Sequence, residues 1–355
     1  MSRRPPLPVA VAAVLVGLAV GIGVPLLVVS LAREVRAVPA SFDAVVATRL
    51  PGTMAPVAAV ERTVASYDGV GAWVDVFDFV PAYAGDVPPV TAATVDEMAA
   101  AGVETVYLQA ARLDDRTPDG IVDPWLLAEF VHRAHGAGID VVGWYLPKWT
   151  EDQGDLARLL LIDGFAVLGH RFDGVAVDIE WNQDGLEPDE RSRRLVRLSG
   201  DLRAHDPTAP LGAIVMSPVQ IEVVNDQFWP GFPWADIAED YDVWLPMSYW
   251  SFRSASSGYR DGYTYNTEGV QRLRANIGDP VARVHSIGGI GGVDGVDDPD
   301  DPPEPLATFE EIADFARSLT DTGSVGGSIY DWQTLEPSIR VEVGELLAAG
   351  AAPAP

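Results

Sequence analysis

The segment Phe172-Asp173-Gly174-Val175-Ala176-Val177-Asp178-Ile179-Glu180-Trp181 holds the residues best suited to chemistry. It reads as one buried strand. Successive side chains of a strand point to opposite faces. Val175, Val177 and Ile179 therefore share one face and suit packing against helices. Ala176, Asp178 and Glu180 share the other. Buried carboxylates are costly unless paired or hydrogen-bonded, so a purely structural strand has no need of two side by side. A reaction that requires an acid next to a charge stabiliser does. The plainer alternative is an exposed edge strand with ordinary charges. The apolar run around the pair argues against it.

Holding such a pair in place takes a large scaffold. The chain has 355 residues, of which 48% are hydrophobic, enough for one large core. Its net charge of −28 excludes nucleic acid as the expected partner, because that requires basic patches. The absence of cysteine excludes disulfides and thiolate chemistry. No metal or cofactor is expected. An acidic stretch from Asp294 to Glu304 reads as a solvated loop rather than a calcium site. His132 and His135 read as helix-surface residues, and His285 as a packing histidine.

The N-terminus has a different character. Pro8 to Ala32 is uncharged and long enough to span a bilayer. Arg3 and Arg4 precede it, which favours an N-terminus on the inside. Residues 1–36 therefore read as a cytoplasmic stub and signal anchor, with a cleaved signal peptide as the alternative. Residues 37–66 read as a stalk, 67–350 as the globular domain and 351–355 as a tail.

Eight apolar, strand-like runs recur from Ala72 onwards: Ala72–Val80, Val103–Ala110, Ile139–Leu146, Gly174–Trp181, Leu211–Met216, Val243–Tyr249, Val281–Ile290 and Val325–Trp332. Helical segments with Pro, Thr or Gly boundaries lie between them, such as Pro124–Ala137, Pro188–His205 and Thr308–Thr322. This pattern and length predict a (β/α)8 barrel, an α/β fold, preceded by one transmembrane helix. Active sites of such barrels lie at the carboxyl ends of the strands. The residues there are Asp78, Gln109, Trp144, Tyr145, Asp178, Glu180, Trp181, Met247, Tyr249, Trp250, Asp331 and Trp332. Aromatic faces flanked by polar groups suit sugar rings, so the expected partner is a polysaccharide or oligosaccharide.

The stretch Asp173 to Glu180 resembles the fourth-strand motif D-G-x-D-x-D-x-E of glycoside hydrolase family 18, the chitinase-like barrels. Ala176 stands where that family has an acid. Met247-Ser248-Tyr249 is similar to its sixth-strand Met-x-Tyr, with Trp250 in place of an acid, and Trp332 is similar to the tryptophan that floors its sugar site. The third strand, Val141 to Tyr145, lacks the family's Ser-x-Gly-Gly. The resemblance implies Glu180 as general acid, Asp178 as the residue that orients a substrate 2-acetamido group, and Tyr249 as a hydrogen-bond partner of that group. In that family the acetamido group replaces an enzyme nucleophile. Lysozyme-like barrels of family 25 also place Asp-x-Glu on a strand and stay open as an alternative. A catalytically silent glycan-binding barrel, acting as scaffold or receptor, is the alternative from a different class. Ala176 and Trp250 favour it; Asp178 and Glu180 favour an enzyme.

The expected location is the cell membrane, single-pass, with the barrel outside the cytoplasm. Fractionation should recover the full chain with membranes. A soluble protein whose N-terminus lies beyond Arg36 refutes the anchor.

Overall fold

The computed structural model describes residues 61–150, 153–183, 185–289 and 306–351. The apolar segment 8–32, most of the stretch read as a stalk, and the acidic loop at 294–304 lie outside them. Among the described residues no helix is long and apolar enough to cross a membrane.

Eight strands form: Gly69–Val74, Thr105–Gln109, Asp140–Tyr145, Gly174–Ile179, Leu211–Met216, Val243–Ser248, Arg283–Gly289 and Gly326–Tyr330. Each pairs with its neighbours in sequence, in parallel. The eighth returns to the first, with Gly69 opposite Gly326, and closes the barrel. Outward side chains such as Val175, Val177 and Ile179 pack in the layer between strands and helices. Inward ones, including Trp73, Tyr107, Trp144, Ala176, Ile214 and Met247, fill the barrel.

The helices follow from local signals. Pro124–Gly136 starts with proline in its first turn, behind an Asp123 side chain that accepts from Trp125 N. Phe309–Thr322 opens with a reciprocal capping box between Thr308 and Glu311 and stops at Gly323, whose φ is 62°. Gly154–Asp163 escapes a reading based on caps, because Gln153 caps it with no side-chain bond. After the fifth strand the expected helix is replaced by one π-helical turn, Gln220–Val224, and a loop. The first strand is shorter than its apolar run. It stops at Val74 because the Asp75 side chain accepts from Phe77 N and starts a short helical turn, Val76–Phe79.

The residues just before the first strand pack against the barrel. Arg62 pairs with Asp163 at 2.7 Å and with Asp206 at 2.8 Å, tying the segment read as a stalk to the barrel. The turn Val64–Tyr67 then drives Tyr67 into the barrel's amino-terminal end. The Tyr67 hydroxyl lies 2.9 Å from the Val175 carbonyl and 3.1 Å from that of Pro210. Gly174 and Gly212 make room for it, since a Cβ at either position would come within 2.7 Å of a Tyr67 atom. Asp173, beside this plug, is structural. It accepts from Val141 N at 2.7 Å and pairs with His135 Nε2 at 2.9 Å.

Above Tyr67 the axis stays filled. Trp73 stacks on Tyr107 with ring centres 4.3 Å apart. Trp73 Nε1 donates to Ser328 Oγ at 2.8 Å, and Ser328 lies 3.0 Å from His285 Nε2. The other ring nitrogen of His285 faces the Tyr67 carbonyl at 2.8 Å, which makes Nδ1 the protonated nitrogen. Burial pushes His285 down to about 4, so the chain of bonds is built on a neutral ring.

Two substitutions test the plug. Tyr67→Ala should cost about 3–5 kcal/mol, the usual range for deleting a buried aromatic. Gly212→Ala should cost about 1–3 kcal/mol by overpacking against the same ring. Urea unfolding reads both, and an unchanged midpoint in Tyr67→Ala refutes the role of the plug.

Candidate active site

The carboxyl ends of the strands surround a cavity of about 230 Å³. The fourth strand supplies Asp178 and, just past its end, Glu180. The alternation that sends Val177 and Ile179 outward turns both carboxylates in. Trp73, Trp144, Tyr249 and Tyr330 give the cavity aromatic walls, and Ile214, Met247 and Ile287 add apolar surface. Gln109, Asp75 and Arg112 complete the polar lining.

Asp178 is 7% exposed, and its Oδ1 has no hydrogen-bond partner in the protein. Burial, and then the Glu180 charge, push its carboxyl well above the usual range, while Lys148 pulls the other way. Glu180 is partly buried and is raised by the same desolvation, again opposed by Lys148. Trp144 Nε1 is a second buried polar atom of the cavity with no partner. One acceptor and one donor thus stand unpaired in one cleft. Leaving such groups unsatisfied costs about 1–3 kcal/mol each.

On the first-strand side, Asp75 accepts from Phe77 N at 2.7 Å and from the Tyr330 hydroxyl at 2.9 Å. Asp78 accepts from Asp75 N at 3.0 Å, and Asp331 accepts from Thr334 N at 2.9 Å. Carboxylate oxygens of Asp75, Asp78 and Asp331 lie within 4.8 Å of one another. Among the described residues this is the one grouping dense enough for a hard cation. Its oxygens already act as caps for backbone N–H groups. Burial and the neighbouring Asp75 and Asp331 charges push Asp78 up to about 8.

Of the residues expected at the site, Gln109, Trp144, Asp178, Glu180, Met247 and Tyr249 line the cavity. Asp78 and Asp331 sit behind Asp75, and Trp181 lies under the Lys148 ammonium at the rim. Three expectations are corrected. Tyr145 follows the inward Trp144 and so points outward, where its hydroxyl donates to Asp155 at 2.6 Å. Trp250 stacks on Phe315 in the helix layer. Trp332 packs outside the first strand beneath the Arg340 guanidinium, 4.4 Å from it. The inward aromatic of the eighth strand is Tyr330, two residues earlier. Trp73, Asp75, Phe77, Arg112 and Tyr330 were not expected at the site. For Trp73 and Tyr330 the available signal was strand alternation, which puts them on the inner face.

No protein-family model and no curated protein matches the sequence. Solved structures do. The active domain 2 of the thermostable chitinase of Pyrococcus furiosus, solved with chito-oligosaccharides, is 10% identical, covers 84% of this chain and 96% of its own, and has a TM-score of 0.51. The fold is that of the chitinase-like TIM barrels. The spore cortex-lytic enzyme SleL of Bacillus cereus is 10% identical, with 81% of this chain and 75% of its own covered and a TM-score of 0.55. The PgaB (BpsB) glycoside hydrolase domain of Bordetella bronchiseptica is 12% identical, with 81% and 99% covered and a TM-score of 0.52. At these identities the likeness establishes the barrel, and the chemistry rests on the cleft itself.

The acidic trio gives a pH test. The folded protein holds the Asp78 proton up to about pH 8. The unfolded chain releases it near pH 4. Between those values the folded state binds more protons, so this group makes stability fall as pH rises, by at most about 1.4 kcal/mol per pH unit. Asp78→Asn should therefore gain on the parent between pH 5 and pH 8. Denaturation midpoints that run parallel across that range refute the assignment.

Proposed function

We propose that this barrel is a glycoside hydrolase that cleaves a 2-acetamido glycan, chitin-like or from a cell wall, outside the cytoplasm, with the segment 8–32 as its membrane anchor. The observation that carries the reading is buried Asp178 beside half-buried Glu180 in an aromatic-walled cleft, with Asp178 Oδ1 unpaired. Burial favours a protonated carboxyl, and a general acid needs its proton at working pH. Trp73, Trp144, Tyr249 and Tyr330 offer faces to the apolar side of sugar rings.

The chemistry follows from these groups. The substrate acetamido N–H donates to Asp178 Oδ1 and favours its ionised form. The pair's proton then resides on Glu180. The acetamido carbonyl oxygen attacks the anomeric carbon as the glycosidic bond breaks, and Glu180 delivers its proton to the departing oxygen. The ring nitrogen and carbon of the resulting oxazolinium ion carry positive charge, which Asp178 stabilises. Water then attacks the anomeric carbon, the bond from that carbon to the oxazolinium oxygen breaks and restores the acetamido group, and the water gives a proton back to Glu180. Tyr249, whose hydroxyl burial keeps firmly protonated, donates to the acetamido oxygen.

Glu180→Gln keeps the shape and removes the proton source. Hydrolysis of an acetylated amino-sugar oligomer should fall by about 100- to 10,000-fold, while the oligomer still binds by calorimetry. On an aryl glycoside with a good leaving group, Asp178→Asn should be the more damaging change, because acid assistance matters less there. A parent protein that hydrolyses such a glycan, with Glu180→Gln retaining its rate within a few-fold, removes Glu180 from this role. A parent that binds the oligomer without turning over any amino-sugar polymer makes the barrel a silent binder.

A further inference from the structure

The cleft carries a cation whose hydrogen-bonding fork is unused. Arg112 follows the second strand and lines the cavity. Among the described lining residues it is the one base, against the three acids Asp75, Asp178 and Glu180. Backbone bonds fix its place. Ala110 N donates to the Trp144 carbonyl at 3.0 Å, and the Ala110 carbonyl accepts from Val122 N at 2.9 Å. The Arg112 carbonyl accepts from Arg158 Nε at 3.2 Å. The guanidinium lies 4.8 Å from the centre of the Phe77 ring and 5.6 Å from that of Tyr83. Tyr83 is held in turn by Thr117, with its hydroxyl 2.6 Å from Oγ1. Stacking on aromatic faces holds a guanidinium by its plane and leaves its N–H edges for bonds in that plane.

Neither neighbouring carboxylate takes those edges. Asp114 lies 3.8 Å from Arg112 Nε, beyond hydrogen-bond reach, and its two oxygens accept from Arg116 at 2.9 and 2.8 Å. Asp75 accepts from Phe77 N on one oxygen and from the Tyr330 hydroxyl on the other. Among the described residues the terminal nitrogens of Arg112 have no hydrogen-bond partner. On the third strand, between Arg112 and Asp178 in strand order, Trp144 Nε1 is a buried donor that is also unpaired. This side of the cleft thus offers donors where the fourth strand offers an acceptor. A guanidinium fork matches a carboxylate with two parallel bonds. A phosphate monoester would bring up to two charges into a cleft lined by three acids. A carboxylate brings one, which is what one fork can meet.

We propose that the cleft selects an acidic amino-sugar glycan and that Arg112 is its specificity-determining residue, binding a carboxylate carried by the sugar chain. The polymer being a substrate rests on the glycosidase reading; the recognition of its carboxylate does not. The acid can sit on a ring carbon, as in a uronic acid, or on a lactyl ether, as in muramic acid. The chemistry at the fork is the same.

The test is calorimetry on the full chain in detergent with three oligomers of equal length. One is N-acetylglucosamine alone, one alternates it with glucuronic acid, and one alternates it with N-acetylmuramic acid. Any oligomer that the parent cleaves is titrated in the Glu180→Gln background. At least one acidic oligomer should bind more tightly than the neutral one, and the tighter of the two tells ring acid from lactyl ether. Arg112→Gln should cut the ratio of acidic to neutral association constants by about 10- to 100-fold, the usual worth of a hydrogen bond to a charged group. Arg112→Lys keeps the charge but loses the fork, so its ratio should fall between those two. Unfolding midpoints show that each variant folds, and where Arg112→Gln does not, the lowered ratio in Arg112→Lys decides. A folded variant that keeps the parent's ratio overturns the proposal. So does a parent that prefers the neutral oligomer or binds neither acidic one. A preference that Arg112→Gln abolishes, in a protein that hydrolyses none of the three, supports the carboxylate site and counts against the glycosidase reading instead.

Discussion

The constraint on which the rest depends is strand alternation inside a closed barrel. The fourth strand must show apolar side chains to the helices, because its outer face is covered. It meets that demand with Val175, Val177 and Ile179. The same backbone then has no choice about Ala176, Asp178 and Glu180, which point to the axis. A shift by one residue would bury the carboxylates under helices and expose valines to the cleft. The strand is fixed in register by its neighbours, with Ala176 opposite Trp144 on one side and Gly212 on the other. Chemistry and folding therefore draw on one alternating pattern.

The axis below the cleft explains why the pair can be held so dry. Tyr67 closes the amino-terminal end, Tyr107 and Trp73 stack above it, and Ser328 and His285 use their polar atoms on one another and on the Tyr67 carbonyl. A barrel filled in this way is a packed core rather than a pore. Solvent reaches Asp178 from the carboxyl end, and the low exposure of that carboxyl follows. Desolvation is the largest influence on both members of the pair. It raises them in common, so it supplies acidity without separating their roles. Separation needs a bound substrate, to which the unpaired Oδ1 of Asp178 offers an acceptor.

The order of strands was legible because each is an apolar run bounded by Gly, Pro or a capping side chain. What was not legible lies where a local signal is overridden by a contact far along the chain. Nothing in the Ala/Val/Pro-rich stretch before Asp68 marks Tyr67 as a plug; its fit depends on glycines more than 100 residues away, such as Gly174. The run from Ala72 to Val80 looks like one strand, yet Asp75 caps a turn within it and so reaches the cleft itself. At the site, Asp178 and Glu180 were readable because two carboxylates in an apolar strand contradict their surroundings. The aromatics were harder. Trp144 and Tyr145 sit side by side in sequence, and only one can face inward. Trp332 follows the strand end, where alternation no longer holds, so Tyr330 takes the inner position instead.

Ala176 is the residue at which sequence and structure pull hardest on each other. Its side chain faces the barrel interior and it is fully buried, opposite the large indole of Trp144. A carboxyl in its place would be a third acid beneath an already crowded pair, in a core whose neighbours are Trp73, Tyr107 and Val142. Burying it would require a proton or a partner, and each would add to the cost of keeping Asp178 ionised. The small side chain avoids that and leaves Asp178 without a carboxyl neighbour below. The charge that acts most on Asp178 is then that of Glu180, two residues further along, and Lys148 opposes it from a loop that Asp155 holds by bonds to Tyr145, Lys148 and Thr150.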